Sequence, residues 1–213
     1  MLFRLLLIFV LSGVASPLPA APASADSRIS SLPTILVYGD SLSAAYGIAR
    51  ERGWVNLLQR RLQNRGYHYA VFNASVSGET TSGGLTRMPA TLRQQHPAIV
   101  LIELGANDGL RGLPVTEMQR NLSEMIEASQ KIKAKVMLIG IRIPPNYGPR
   151  YTHEFTESFP MLAKRYTLPL SPFLLDGVAG NPELTQDDGL HPTAEAQERL
   201  LDNVWNMLEP MLK

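Results

Sequence analysis

Five short runs of nearly unbroken apolar residues punctuate the chain, at 34–38 (TILVY), 69–73 (YAVFN), 98–104 (AIVLIEL), 135–141 (KVMLIGI) and, more weakly, 168–172. A strand with one wet face alternates apolar and polar residues. Continuous runs of this length belong to strands covered on both faces, as in a parallel sheet. The segments between them carry helical spacing. In 116–133 (TEMQRNLSEMIEASQKIK), Met118, Leu122, Met125, Ile126 and Ile132 fall on one stripe, and Thr116 with Gln119 three residues on predicts a capping box. After Pro192, residues 193–211 place Leu201, Val204, Leu208 and Met211 on a similar stripe, and 54–62, 85–95 and 154–166 predict further helices.

Strands alternating with helices predict an α/β fold, a doubly wound parallel sheet in the middle of three layers, because each crossover helix must cover the apolar face of the strands it joins. Such sheets bind ligands beyond the carboxyl ends of their strands. Chemistry is therefore sought directly after each strand.

The N-terminal segment breaks this pattern. One cation, Arg4, precedes the uncharged run 5–14, and small residues and prolines follow, the layout of a secretory signal peptide. The apolar run, about ten residues, is well short of the roughly 20 that span a bilayer as a helix. Pro17, Pro19 and Pro22 would interrupt any extension. Ala23-Ser24-Ala25 has the A-x-A form that signal peptidase accepts, so cleavage is expected after Ala25, with Ala21 as the other candidate. The expectation is an exported protein, periplasmic or secreted, with no stable membrane anchor: residues 1–25 a signal peptide, 26–213 a single domain with a sizeable core.

Charge and cysteine content narrow the class. The 20 basic and 19 acidic residues become balanced once Arg4 is removed, which argues against a nucleic-acid partner, since such proteins carry a basic excess clustered on one face. The chain has no cysteine, so no disulfide supports the fold and no lipidated cysteine tethers it.

Gly39-Asp40-Ser41-Leu42 follows the first strand. Glycine permits a tight turn there, and Ser41 would stand at the mouth of the crevice with its own N–H turned inward. The tetrapeptide arises by chance in roughly one chain of this size in a few hundred, so it does not settle the chemistry alone. A nucleophilic serine needs a base, an acid to orient that base, and donors for the developing oxyanion. His191, in DDGLHPT, has Asp188 three residues before it, a spacing at which one turn brings a carboxylate to Nδ1 and leaves Nε2 free for a serine. Asp187 could serve if the turn is tighter. His68 and His96 read as surface residues near turns, and His153 as a loop residue at the rim of the site. Gly78, after the second strand, can bring a backbone N–H close to a ligand, with Gly83 and Gly84 as rivals, and Asn107, after the third, can reach across with its amide. Each has a plainer reading as a turn or cap residue. Their concurrence at one predicted sheet edge favours the chemical one.

These blocks carry a resemblance. VYGDSLSAAYGI, FNASVSGETTSGGL, VLIELGANDGLRG, IRIPPNYGPRY and DGLHPTAEAQ run in order along the chain and resemble the SGNH branch of the GDSL hydrolases, most of all its bacterial thioesterase, lysophospholipase and arylesterase group. The resemblance implies a flavodoxin-like three-layer sandwich with a five-stranded parallel sheet, and no metal or other cofactor. It implies Ser41 as nucleophile, His191 as base, Asp188 as orienting acid, and Ser41 N–H, Gly78 N–H and the Asn107 side chain as oxyanion donors. It further implies that the loop at about 109–114 and the loop 143–151 wall an acyl site. Leu110, Leu113, Ile143, Pro144 and Tyr147 are apolar residues in those predicted loops, as an alkyl-binding groove requires. The expected activity is hydrolysis of ester, thioester or lysophospholipid acyl bonds by a monomer. A carbohydrate O-deacetylase and a noncatalytic acyl-binding module are the alternatives.

Overall fold

The computed structural model describes residues 32–212. The segment expected to be a signal peptide lies outside them. Five parallel strands form one sheet in the order β2-β1-β3-β4-β5: β1 Thr34–Gly39, β2 Ala70–Asn73, β3 Ile99–Glu103, β4 Lys135–Ile139 and β5 Leu170–Ser171. Each sits at an apolar run, and β3 is buried along its whole length, as a central strand covered on both faces must be. Six α-helices join and follow the strands: α1 Trp54–Asn64, α2 Thr81–Gln95, α3 Ala106–Leu110, α4 Val115–Lys131, α5 Pro149–Tyr166 and α6 Gln197–Leu208. Ile35 and Val37 of β1 pack with Leu58, Leu62, Leu200 and Val204 from α1 and α6. Their neighbours Leu36 and Tyr38 point the other way, into a layer built by α2, α4 and α5 around Met88, Met125 and Phe159. Burying each large apolar side chain contributes about 2 kcal/mol, so the two layers hold the sheet from both sides.

The strand order places β2 on one side of β1 and β3 on the other. The chain therefore switches direction between β1 and β3, and their carboxyl ends splay apart around a crevice. Gly39 and Glu103 are partners at the last register position of this pair, directly below it.

Several elements depart from expectation. No capping box forms at Thr116: α4 begins at Val115 after Pro114, and the Gln119 amide donates to Ser158 Oγ of α5 (2.9 Å). Ile132 lies past the end of α4 and is exposed. Helix α2 starts four residues earlier than the spacing predicts, because Thr80 caps it and Asp108 Oδ2 accepts the Thr81 N–H (2.8 Å), so Gly83 and Gly84 are helical. A Cβ on Gly84 would stand 2.6 Å from Leu104 Cδ1, so a larger residue there needs that buried side chain to shift. Helix α5 starts at Pro149, a residue suited to a first turn that needs no N–H.

Candidate active site

Ser41 leaves the end of β1 in a turn whose first contacts are internal: Leu42 N–H donates to Asp40 Oδ1 (3.0 Å) and Ala44 N–H to the Asp40 carbonyl (2.9 Å). The glycine before it is needed for a different reason from the one the sequence suggests. Gly39 is not among the positive-φ residues; a Cβ there would stand 2.6 Å from Glu103 Oε2 and 3.0 Å from Ser43 Cβ. Glycine at 39 makes room for a carboxyl group.

Ser41 Oγ is hydrogen-bonded to His191 Nε2 (2.9 Å), and His191 Nδ1 meets Asp188 Oδ2 (2.5 Å). The loop before α6 holds this pair as a tight turn, with Gly189 at φ +67°. Asp188 Oδ1 accepts the N–H groups of Leu190 and His191, each at 2.9 Å. Those bonds, the His191 N–H foremost, pull the Asp188 carboxyl down to about 2 against the smaller opposing effect of burial. The ring partner is Asp188, not Asp187. Tyr46 leans on the imidazole, its ring centroid 4.4 Å away.

Gly78 (φ +79°) and Asn107 line the same cleft as Ser41 and His191. Asn107 Nδ2 donates to Asp40 Oδ2 (3.2 Å) and to the Glu79 carbonyl (3.0 Å). Both partners are acceptors, which identifies this nitrogen as the donor end of the amide and engages both of its hydrogens. Asp108 and Arg111 fasten the facing segment, the one through Thr81 N–H and hydroxyl (2.8 and 2.6 Å), the other by donating to the Gly78 carbonyl (3.0 Å). The rivals Gly83 and Gly84 are inside α2, and the Gly83 N–H is directed at Thr80 Oγ1.

The cleft has a volume of about 270 Å³, and Leu42, Leu110, Ile141, Ile143, Leu175 and Leu190 supply its apolar wall. Of the wall residues expected from sequence, Leu110 and Ile143 line it, whereas Leu113, Pro144 and Tyr147 do not. The Tyr147 hydroxyl donates to the Leu110 carbonyl (2.8 Å) and that of Tyr151 to the Leu113 carbonyl (2.7 Å), so these tyrosines fasten the 109–114 segment from behind. Part of that segment is the short helix α3, which no periodicity announces at five residues. His153 is an exposed residue within α5, facing a different, shallow groove. His68 and His96 are exposed, His96 in the left-handed cap of α2.

Sequence reasoning missed three supports of the site: Gln186, Glu103 and the chemical part played by Asp40. Gln186 Nε2 donates to the Tyr46 carbonyl (2.9 Å) and the Pro192 carbonyl (3.0 Å), while its backbone N–H donates to the His191 carbonyl (2.7 Å). It staples the histidine loop to the serine loop. No spacing rule finds it; a charged residue closing an otherwise apolar strand, as Glu103 does, is a signal that was available. Among the described residues no cluster of three or more His, Cys, Asp or Glu side chains could hold a metal ion.

Residues 37–199 match the model of the GDSL-like Lipase/Acylhydrolase family. The chain belongs to that family. Among its relatives, the esterase TesA of Pseudomonas aeruginosa is 51% identical over 84% of this chain and 89% of its own length. The thioesterase 1/protease 1/lysophospholipase L1 of Escherichia coli K12 is 40% identical over 87% of this chain and 88% of its own. A crystal structure of TesA superimposes with a TM-score of 0.82 at 51% identity, covering 84% of this chain and 99% of that one. The psychrotrophic esterase EstA from Pseudoalteromonas sp., in a form inhibited by monoethylphosphonate, gives 0.80 at 46% identity, covering 84% and 97%. As a member of this GDSL-like acylhydrolase family the chain is an ester hydrolase. No described helix is long and apolar enough to cross a membrane.

Proposed function

We propose that this acylhydrolase is an exported serine enzyme that cleaves the acyl ester or thioester bond of single-chain lipids and related esters, acting as a monomer. The observation that carries the reading is the unbroken relay Ser41–His191–Asp188 at the mouth of an apolar cleft. Ser41 Oγ attacks the acyl carbonyl while His191 Nε2 takes its proton. The oxyanion is held by the N–H groups of Ser41 and Gly78 and by the Asn107 amide, which loosens its 3.2 Å bond to Asp40 to do so. His191 then protonates the leaving alcohol or thiol as the C–O or C–S bond breaks. Water, activated by the same imidazole, hydrolyses the acyl-enzyme. Asp188, ionised far below neutral pH, stabilises the imidazolium formed in each half-reaction.

The apolar wall suits an alkyl chain. Arg142, also on the wall and stacked over Phe173 at 4.8 Å, suits an anionic headgroup. Together they favour lysophospholipid-like substrates over an acetylated glycan. Export rests on the layout of residues 1–25, and the mass of the mature N-terminus tests it. For the chemistry, Ser41→Ala is expected to lower hydrolysis of a medium-chain p-nitrophenyl ester by at least about a thousandfold with the circular dichroism spectrum unchanged. Retention of most of the activity overturns the mechanism. Faster turnover of acetyl-xylan than of medium-chain esters would favour the deacetylase instead.

A further inference from the structure

The floor of the site holds two acids that the mechanism does not use. Asp40 and Glu103 are both completely buried, at the ends of adjacent strands β1 and β3. Among the described residues neither takes part in a salt bridge. Glu103 Oε2 accepts the Ser43 hydroxyl (2.6 Å) and the Asp40 N–H (3.4 Å), while Oε1 is buried without a partner. Asp40 is better provided: Oδ1 takes the Leu42 N–H and Oδ2 the Asn107 amide. The serine turn is thus gripped on both sides of Ser41, at residue 40 and at residue 43, by one carboxyl group. Ser43 is held from β2 as well, its carbonyl accepting the Asn73 amide (2.7 Å).

We propose that Glu103 is the positioning residue of this active site: it fixes the serine turn to β3, and through Asp40 it sets the place of the Asn107 amide. The proposal rests on the reading of Ser41 as the nucleophile. Its first support is the close approach built for it, because glycine at 39 is what lets the carboxyl group reach both donors. The second is charge. Two buried carboxylates without a cation cannot both ionise cheaply. The titratable groups around the pair are Asp108 of α3, which adds repulsion at Asp40, and His191, whose imidazolium would ease it. Burial pushes Asp40 up to about 6 even with the Leu42 N–H, His191 and Asn107 opposing it. Burial, then Asp40, push Glu103 well above the ordinary glutamate range, with only Ser43 and one N–H opposing. Glu103 therefore holds the proton and Asp40 carries the charge that grips Asn107.

Glutamine keeps the shape and an acceptor oxygen without the charge; leucine keeps roughly the volume but has no acceptor. With a medium-chain p-nitrophenyl ester at neutral pH, Glu103→Gln is expected to keep kcat within about threefold of wild type. Glu103→Leu is expected to lose about 30-fold or more in kcat with KM nearly unchanged, because misplaced catalytic groups cost rate rather than binding. Ser43→Ala, which removes one of the two donors with little disturbance, should lose kcat in the same direction by a smaller factor. A thermal-melt series reads the proton independently of turnover. An acid whose folded pKa is raised costs the native state nothing below its unfolded value of 4.5, and an increasing amount as pH rises toward the folded value. Glu103→Gln should therefore melt higher than wild type by a margin that grows from about pH 5 upward and has vanished by about pH 4. Equal kcat losses in the Gln and Leu variants, wild-type kcat in the Leu or Ala variants, or a melting difference independent of pH would each overturn the proposal. Failure of the Ser41→Ala test would instead undo the mechanism while leaving the melting series to stand.

Discussion

The two halves of the relay sit in opposite surroundings. Ser41 stands on a floor from which water is excluded, with Asp40 and Glu103 fully buried beneath it, whereas the imidazole hydrogen-bonded to it comes from a surface turn in which the side chains of His191 and Asp188 are 20% and 39% exposed. The acids answer in opposite directions. Asp40 is raised to about 6 by burial, and Asp188 is lowered to about 2 by backbone hydrogen bonds. One half is held by the sheet beneath it, and its carboxyl groups bear the cost. The other is held by hydrogen bonds within a short turn, and its carboxylate is stabilised by them. Precision in the second half therefore depends on bonds made at the surface, and in the first on buried bonds to Glu103 at the end of β3.

The sharpest way to break the comparison is to remove the exposed half. His191→Ala is expected to reduce kcat/KM for a p-nitrophenyl ester by about a thousandfold or more, while His153→Ala, altering an exposed residue of α5, should leave it within about twofold. Equal losses would mean that the base has been wrongly chosen. A milder cut goes through the staple. Gln186→Ala removes two side-chain bonds, to the Tyr46 and Pro192 carbonyls, without touching the relay. We expect kcat to fall about tenfold with KM nearly constant, as for a base held less firmly. Gln186→Glu should not rescue it, because a carboxylate would face two carbonyl oxygens. Rescue by glutamate would show that residue 186 matters only for its shape.

How much of this could be read from the chain follows the same division. The five strands and both helical layers declare themselves by apolar periodicity, a signal averaged over many residues. So does the expectation that Ser41, Gly78, Asn107 and His191 share one sheet edge, since each directly follows a strand or precedes the last helix. What stayed hidden is what depends on one contact between distant residues. The capping box at Thr116 fails because Gln119 finds Ser158. Gly83 and Gly84, turn formers by propensity, are helical because Thr80 and Asp108 anchor the start of α2. Gly39 is correctly suspected and wrongly explained, because the group that needs its space, Glu103, is 64 positions away in the chain. Sequence places Asp40 as part of a turn, but its carboxylate reaches Asn107 only once β1 and β3 lie side by side.

The subtlest test sets the two acids against each other in a pH series. Asp188, lowered from an ordinary 3.8 to about 2, contributes stability that is present above its unfolded value and is lost as pH falls through about 2. Asp40, raised from 3.8 to about 6, does the reverse: it costs nothing at low pH and destabilises the native state increasingly as pH rises from 3.8 to about 6. Asp188→Asn should therefore lower the melting temperature at neutral pH, by an amount that shrinks toward about pH 2. Asp40→Asn should shift the melting temperature upward, relative to its own value at about pH 3, as neutrality is approached. The Asp188 effect is the smaller, since water screens a carboxylate so exposed. Asparagine at 40 keeps one acceptor oxygen and sets an amide nitrogen against the other donor, a loss present at every pH, so only the pH-dependent part of the shift reports the charge. Parallel rather than opposed pH trends in the two variants would show that both halves of the site are held in the same way.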